Sequence, residues 1–263
     1  MSATTESHAS NVGWAVRDAL AIAGRNLRRI RREPEVLFFS TVQPIIFVLL
    51  FRYVFGGAIR VPGLSYVDFL MAGIFVQTTA FASTGTGVAL ADDLSKGLID
   101  RFRSLPMARS AVLAGRSLSD LMRITFTVLV MLLVGVAVGL RFHEGLLKAM
   151  AALLLVVFFG FAFTWISAWI GLTVRTVEAA NLAGFVWLFP LTFASSAFAP
   201  VETMPGWLQA FAKATPVTPT VDAVRALING GAIAHALITS LCWCVGITIV
   251  FAWLAIRRYR RIS

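Results

Sequence analysis

Residues Ala91–Arg123 read ADDLSKGLIDRFRSLPMARSAVLAGRSLSDLMR and lie between two long apolar runs. This is the most charged internal segment of an otherwise oily chain. Leu94, Leu98, Phe102 and Leu105 step by four, four and three, which puts them on one face of a helix. Lys96, Asp100, Arg101 and Arg103 fall mostly on the other. Pro106 ends that helix, because a proline pushes the preceding Leu105 out of the α region. Beyond it, Arg109, Arg116 and Arg123 recur every seven residues, a stripe suited to lipid headgroups on the way into the next span. A short two-faced helix between membrane spans has two uses: to lie on the lipid surface, or to dock on a cytoplasmic protein.

The flanking runs decide the class. Hydrophobic residues make up 58% of the 263 and charged ones only 14%, and the mean hydropathy is +0.82. A soluble domain is nearer half apolar and a quarter charged. The apolar residues gather into runs of about 20, the length that crosses a bilayer as helix. No alternating pattern of about ten residues recurs, which argues against a β-barrel. The expected fold is therefore an all-α polytopic membrane protein.

Its order begins with a polar tail, 1–11, expected to be disordered and without the apolar core of a cleavable signal. Over 12–33, Val12, Val16, Leu20, Leu27 and Ile30 share one helical stripe, with Arg25, Arg28, Arg29 and Arg32 elsewhere. That pattern predicts an interfacial amphipathic helix. The transmembrane part, 34–263, carries six expected spans at about 36–55, 66–90, 121–140, 149–174, 180–199 and 232–256, with a cytoplasmic loop over 92–120. Gly135-x-x-x-Gly139 in the third span is a close-packing pattern in lipid. Between spans five and six, 200–231 holds two short amphipathic helices on the outer side, which either dip into the bilayer or lie flat. Asp222 and Arg225 stand at pairing distance in the second.

Six spans place both termini on one side. That side carries 17 basic residues against 6 on the other, so both termini and the loop 92–120 are expected in the cytoplasm. The net charge of +10 comes from 20 Arg and 3 Lys gathered at the ends of apolar runs. Membrane lipids, not nucleic acid, account for that placement.

Catalytic chemistry is not visible. His8, His143 and His235 have no carboxylate or cysteine at ligand spacing, and Cys242 and Cys244, two apart, face different sides of a helix, so no metal site is expected. No Lys precedes a Ser or Thr, hence no phosphate-binding P-loop. If ATP drives this protein, another chain hydrolyses it. The span centres lack acids, which weighs against a proton-coupled drug antiporter. A non-transporting anchor for a cytoplasmic partner stays open. Scattered polar and aromatic residues make candidates for a substrate path: Gln43 in the first span, Thr78, Thr79 and Ser83 in the second, and Phe189, Phe193 and Ser195 in the fifth. Phe185 and Trp187 add aromatic surface, and Pro190 is expected to bend the fifth span.

The run Gly97-Leu-Ile-Asp-Arg-Phe-Arg-Ser-Leu-Pro-Met-Ala-Arg109 resembles the signature after the second span of daunorubicin-resistance-type permeases, the membrane subunits of type-two ABC exporters. A second resemblance runs from Phe193 to Leu208 and on through Pro216-Val-Thr-Pro219 to Asp222 and Arg225. The resemblance implies that Leu98, Asp100, Arg101, Phe102, Arg103, Leu105 and Pro106 form a coupling helix docked on a separate cytoplasmic ABC ATPase. That ATPase would bind ATP and Mg, leaving no cofactor in this chain. It implies that the N-terminal helix is an interface helix, and that 205–228 is a re-entrant hairpin closing the outer exit, with Glu202, Pro205, Trp207 and Phe211 at the gate. It further implies a dimer with a second permease copy or paralogue in a bacterial cytoplasmic membrane, exporting an amphipathic drug or lipid.

Overall fold

Ser65 starts the helix around which the others pack. Its Oγ accepts from the Asp68 amide at 3.2 Å and donates to Asp68 Oδ2 at 2.7 Å. This caps the helix and sets a negative charge in its first turn, where the helix dipole favours one. The computed structural model describes residues 42, 44–55, 65–97 and 109–261. Among them every regular element is helical. In chain order these are α1 (Pro44–Val54), which closes in a π turn over Phe51–Phe55, α2 (Tyr66–Ser95), α3 (Arg109–Val138), α4 (Leu146–Gly171) and α5 (Val177–Phe193). After a 3₁₀ turn at Val201–Thr203 follow α6 (Gly206–Ala214), α7 (Val217–Asn229) and α8 (Ala234–Arg261).

Four helices are long and apolar enough to cross a membrane: Tyr66–Ser95, Arg116–Val138, Leu146–Gly171 and Ala234–Tyr259. They correspond to expected spans two, three, four and six. Pro44–Val54 and Val177–Phe193, at the places of spans one and five, are shorter apolar helices. At 1.5 Å per residue the 17 residues of α5 reach about 25 Å, a little under a hydrocarbon core. The expected amphipathic helix at 12–33, with Arg25, Arg28, Arg29 and Arg32, lies outside the described residues. So do Gln43 and the central part of the expected coupling helix, from Leu98 through Asp100, Arg101, Phe102, Arg103 and Leu105 to Pro106.

α2 packs against α3, α4, α5 and α7, and α4 against α7 and α8. Phe75, Ile74, Met71 and Leu70 of α2 meet Phe159 and Phe163 of α4 in the best-buried part of the core. Glycines permit the closest approaches. A β-carbon on Gly87 would collide with the Ser167 carbonyl, one on Gly171 with the Gly87 backbone, and one on Gly73 with the Ala197 carbonyl. Outward, α3 and α8 expose Phe126, Leu129, Leu133, Ile249, Val250 and Trp253. Apolar faces of that extent suit hydrocarbon and not water.

Four expectations need correction. The third helix begins at Arg109, not near 121, so the loop 92–120 ends twelve residues earlier as part of α3. The fifth runs through Pro190 and stops at Phe193, not at 199. Its last N–H donor to Pro190 is Ala194, at 3.0 Å, and the following chain is unwound but buried. Irregular backbone is tolerated at such depth only when protein surrounds it. Gly135 and Gly139 do not form a helix–helix seam. Gly135 accommodates Met71, whereas Gly139, at φ 104°, ends α3 in the left-handed conformation. Finally, Arg116 and Arg123 turn inward to carboxylates, as described below, not outward to headgroups.

The two short helices α6 and α7 differ. α6 lies on the surface with Trp207 74% exposed, whereas α7 is buried on nearly every side among α2, α4 and α8. One arginine holds α7 in place. Arg225 Nη1 donates to Asp222 Oδ1 at 2.9 Å, and Nη2 donates to the Ser196 carbonyl at 2.8 Å and weakly to the Phe69 carbonyl at 3.4 Å. Its guanidinium carbon sits 3.8 Å from the centre of the Phe69 ring. Ser196 Oγ completes the cluster by donating to Asp222 Oδ1 at 2.7 Å. The sequence-level pairing of Asp222 with Arg225 thus holds, and it extends to α2 and to the unwound end of α5.

Two pairs of substitutions test this packing. Gly87→Ala should destabilise by about 1–3 kcal/mol, because backbone atoms must move. Gly246→Ala, whose β-carbon would meet open space, should be neutral or slightly stabilising, since alanine is the better helix former. Thermal unfolding of the purified protein in detergent compares them. Arg225→Met should cost roughly 2–3 kcal/mol by stranding the Ser196 carbonyl and Asp222. Phe69→Leu, which removes only the ring beneath the cation, should cost about 1 kcal/mol beyond its packing loss in the same assay.

Candidate functional site

On α2, Thr78, Phe81 and Gly85 follow at helical spacing and share one face with Gln77 and Thr84. On α5, Asn181, Phe185, Phe189 and Phe193 follow at strict four-residue steps. These two stripes face each other across a cleft of about 320 Å³, closed on a third side by Pro44 and Phe47 of α1 and at one end by Arg123 of α3. The volume lies at the lower end of the range of drug-sized sites.

Aromatic rings form most of the wall. Phe189 and Phe193 stack with centroids 4.3 Å apart, Phe81 meets Phe185 at 5.5 Å, and Phe47 meets Phe193 edge-on at 6.5 Å. The ladder continues outward through Phe198 to Phe51, at 5.0 and 4.7 Å. Phe185 and Phe189 keep about half their surface exposed, so the cleft is accessible from the side.

The opposite end is polar. Arg123 is the one charged residue lining the cleft among the described residues. Its guanidinium lies against Gly85, where a β-carbon would come within 2.9 Å of Nη1. Nη2 makes a long hydrogen bond to Asp120 Oδ1, 3.3 Å. About two turns closer to the end of α2, Arg116 Nη1 donates to Asp93 Oδ2 at 2.6 Å. All four side chains of these pairs are less than a fifth exposed. Beneath them, Thr86, Arg116, Asp120 and Trp165 border a small cavity between α2, α3 and α4. Thr86 Oγ1, Arg116 Nε, Asp120 Oδ2 and Trp165 Nε1 have no protein partner there. Two N–H donors, a carboxylate oxygen and a hydroxyl match the valence of one bridging water.

Of the expected path residues, Thr78, Phe189 and Phe193 line the cleft. Thr79, its neighbour, turns into the core and donates to the Phe75 and Val76 carbonyls. Ser83 faces Ser167 of α4 at 3.4 Å, and Ser195 bonds within the unwound end of α5. Trp187 stacks on Phe163 instead of facing the cleft. Gln77, Phe81, Asn181 and Arg123 were not among the expected path residues, although the four-step stripe from Asn181 is readable in the sequence. Of the residues expected at an outer gate, Glu202, Trp207 and Phe211 are exposed and Pro205 caps α6. Gln209 Nε2 ties α6 back to the Met204 carbonyl at 2.9 Å. No group of three metal-ligating side chains occurs among the described residues.

The sequence model of the ABC-2 type transporter family matches residues 17–229. The daunorubicin resistance ABC transporter permease protein DrrB1 of Streptomyces coeruleorubidus is 35% identical over 94% of this chain and 87% of its own. The probable doxorubicin resistance ABC transporter permease protein DrrC of Mycobacterium tuberculosis is 30% identical over 94% of this chain and 90% of its own. A putative transport permease of Cyanophora paradoxa is 27% identical over 81% and 75%. With a family match over most of its length and two such relatives, this chain belongs to the ABC-2 type transporter family, as a membrane permease subunit of an ABC exporter.

Proposed function

We propose that this permease exports an amphipathic drug or lipid, taken up in the cleft between α1, α2 and α5. The observation that carries the reading is the aromatic ladder facing a polar end in a laterally open cleft. An amphiphile that has partitioned into the membrane reaches such a site from the side. The two most similar relatives described above carry daunorubicin and doxorubicin in their names, which supports a multidrug or antibiotic-resistance role.

In this reading the chain crosses the bacterial cytoplasmic membrane six times, with both termini in the cytoplasm. Residues 98–106 dock on a cytoplasmic ABC ATPase that binds ATP and Mg, and Arg101 and Arg103 contribute charge to that contact. A second permease, identical or paralogous, completes the pathway. α7 serves as the inner arm of a re-entrant outer hairpin, a role its burial among α2, α4 and α8 supports. The work stroke would act on α2, whose end carries the docking segment, and would alternate the cleft between inward and outward access through differential contacts in the two states.

The test is co-expression with the ATPase encoded beside it, reconstitution in vesicles, and measurement of ATP-driven uptake. Arg101→Glu combined with Arg103→Glu should lower ATP-driven transport at least tenfold and release the ATPase from the complex, while membrane insertion stays unchanged. Full transport in that variant, or transport indifferent to disabling the ATPase, would overturn the docking assignment.

A further inference from the structure

We infer that the cleft selects amphiphiles with a planar aromatic body and an anionic group, and that Arg123 reads the anion. This deepens the export reading and rests on the cleft being the substrate site.

The argument starts from hydrogen-bond supply. A guanidinium carries five N–H donors and cannot shed its charge at any accessible pH. Arg123 has one hydrogen bond among the described residues, the 3.3 Å contact to Asp120. Its side chain is only 17% exposed, so water serves the remaining donors poorly. Asp120 is a weak competitor for them, because only Oδ1 reaches Arg123, whereas Oδ2 borders the small cavity on the other side. Gly85 keeps the guanidinium where it is: any side chain there would push it off the cleft wall. A partly desolvated cation with open donors at the end of an apolar slot is a receptor for a carboxylate, sulfonate or phosphate.

The slot supplies the other half of the specificity. Phe185, Phe189 and Phe193 present rings along one wall and Phe81 along the facing one. Stacked rings favour a planar aromatic partner over a branched aliphatic one. No carboxylate lines the cleft among the described residues, and Asp120 behind Arg123 is already paired with it, so a cationic amphiphile of the same body finds stacking but no free counterion.

The experiment uses the full permease with its ATPase in discs of neutral phosphatidylcholine, with protein-free discs as baseline. Two probes share one body: pyrenebutanoate and pyrenebutyl-trimethylammonium. Wild type should bind the anion at least tenfold more tightly. Arg123→Gln should weaken the anion about ten- to a hundredfold, the range expected for a lost charge-assisted hydrogen bond, and should leave the cation unchanged or tighter. Retained cation binding shows that the variant is folded. Arg123→Lys should restore part of the preference, and Gly85→Ala, which displaces the guanidinium without removing it, should lower it. Phe189→Ala should weaken both probes.

If Phe189→Ala weakens both probes but the anion preference is missing or survives Arg123→Gln, this inference falls and the cleft remains the substrate site. If neither probe responds to Phe189→Ala, the cleft assignment falls and takes this inference with it. Repeating the measurement in phosphatidylglycerol discs names the source of the anion. Competition by the lipid identifies a headgroup as the occupant, and undiminished pyrenebutanoate binding identifies an aromatic acid; either result supports an anionic ligand.

Discussion

Two helices reach backbone contact only where neither places a side chain between them. α2 meets that condition at Gly87 against Ser167 and Gly171, and at Gly73 against the Ala197 carbonyl. The two crossings are fourteen residues apart, roughly 21 Å along the axis at 1.5 Å per residue. They fix α2 against α4 in its C-terminal half and against the unwound end of α5 in its N-terminal half. In hydrocarbon the hydrophobic effect gives helices no reason to associate, so van der Waals contact at such crossings carries the association. The placement of both stripes of the cleft depends on this. With α2 held, residues 77 and 78 face α5 and residues 79 and 83 face α4.

That division of neighbouring residues marks the limit of what was legible. The start of α2 near 66 followed from its apolar run, and the structure adds the local cause, the Ser65 cap and the first-turn charge of Asp68. The order of apolar helices followed from run length alone. Thr78 and Thr79 are one residue and about 100° apart, and nothing local distinguishes the side that meets a cleft from the side that meets the core. The same holds for Arg123. A seven-residue recurrence identifies a common face but not its direction, and here that direction is toward Asp93 and Asp120. A carboxylate three residues before Arg123 and another at the end of the preceding helix were the available hints. The end of α5 was less accessible still. Residues 194–199 read as apolar span, yet their backbone leaves the helix because Ser196 and Ala197 are claimed by α7 and α2.

The charged residues between the C-terminal end of α2 and the N-terminal part of α3 have a common logic. Asp93 with Arg116 and Asp120 with Arg123 keep each buried charge beside an opposite one, which limits the desolvation cost of placing them there. They also run in a line from the end of α2 that leads into residues 98–108 to the polar end of the cleft. A displacement of that end of α2 shifts Asp93, and through Arg116 it shifts the first turns of α3, on which Asp120 and Arg123 are carried. The cleft and the C-terminal end of α2 are thus linked by two ion pairs as well as by apolar packing.

The cluster around Arg225 bears on how the chain is built. Ser196 lies in unwound backbone, so its carbonyl has no helical donor, and its partner is a residue made twenty-nine positions later. Without Arg225, residues 194–200 hold an acceptor that hydrocarbon cannot satisfy, and without them Arg225 keeps Asp222 but loses its shortest backbone acceptor. The unwound tail of α5 and the whole of α7 are therefore complete only together, on the ring and carbonyl of Phe69 that α2 supplies. A chain cut between α6 and α7 would leave the Ser196 carbonyl and the Phe69 ring without their arginine.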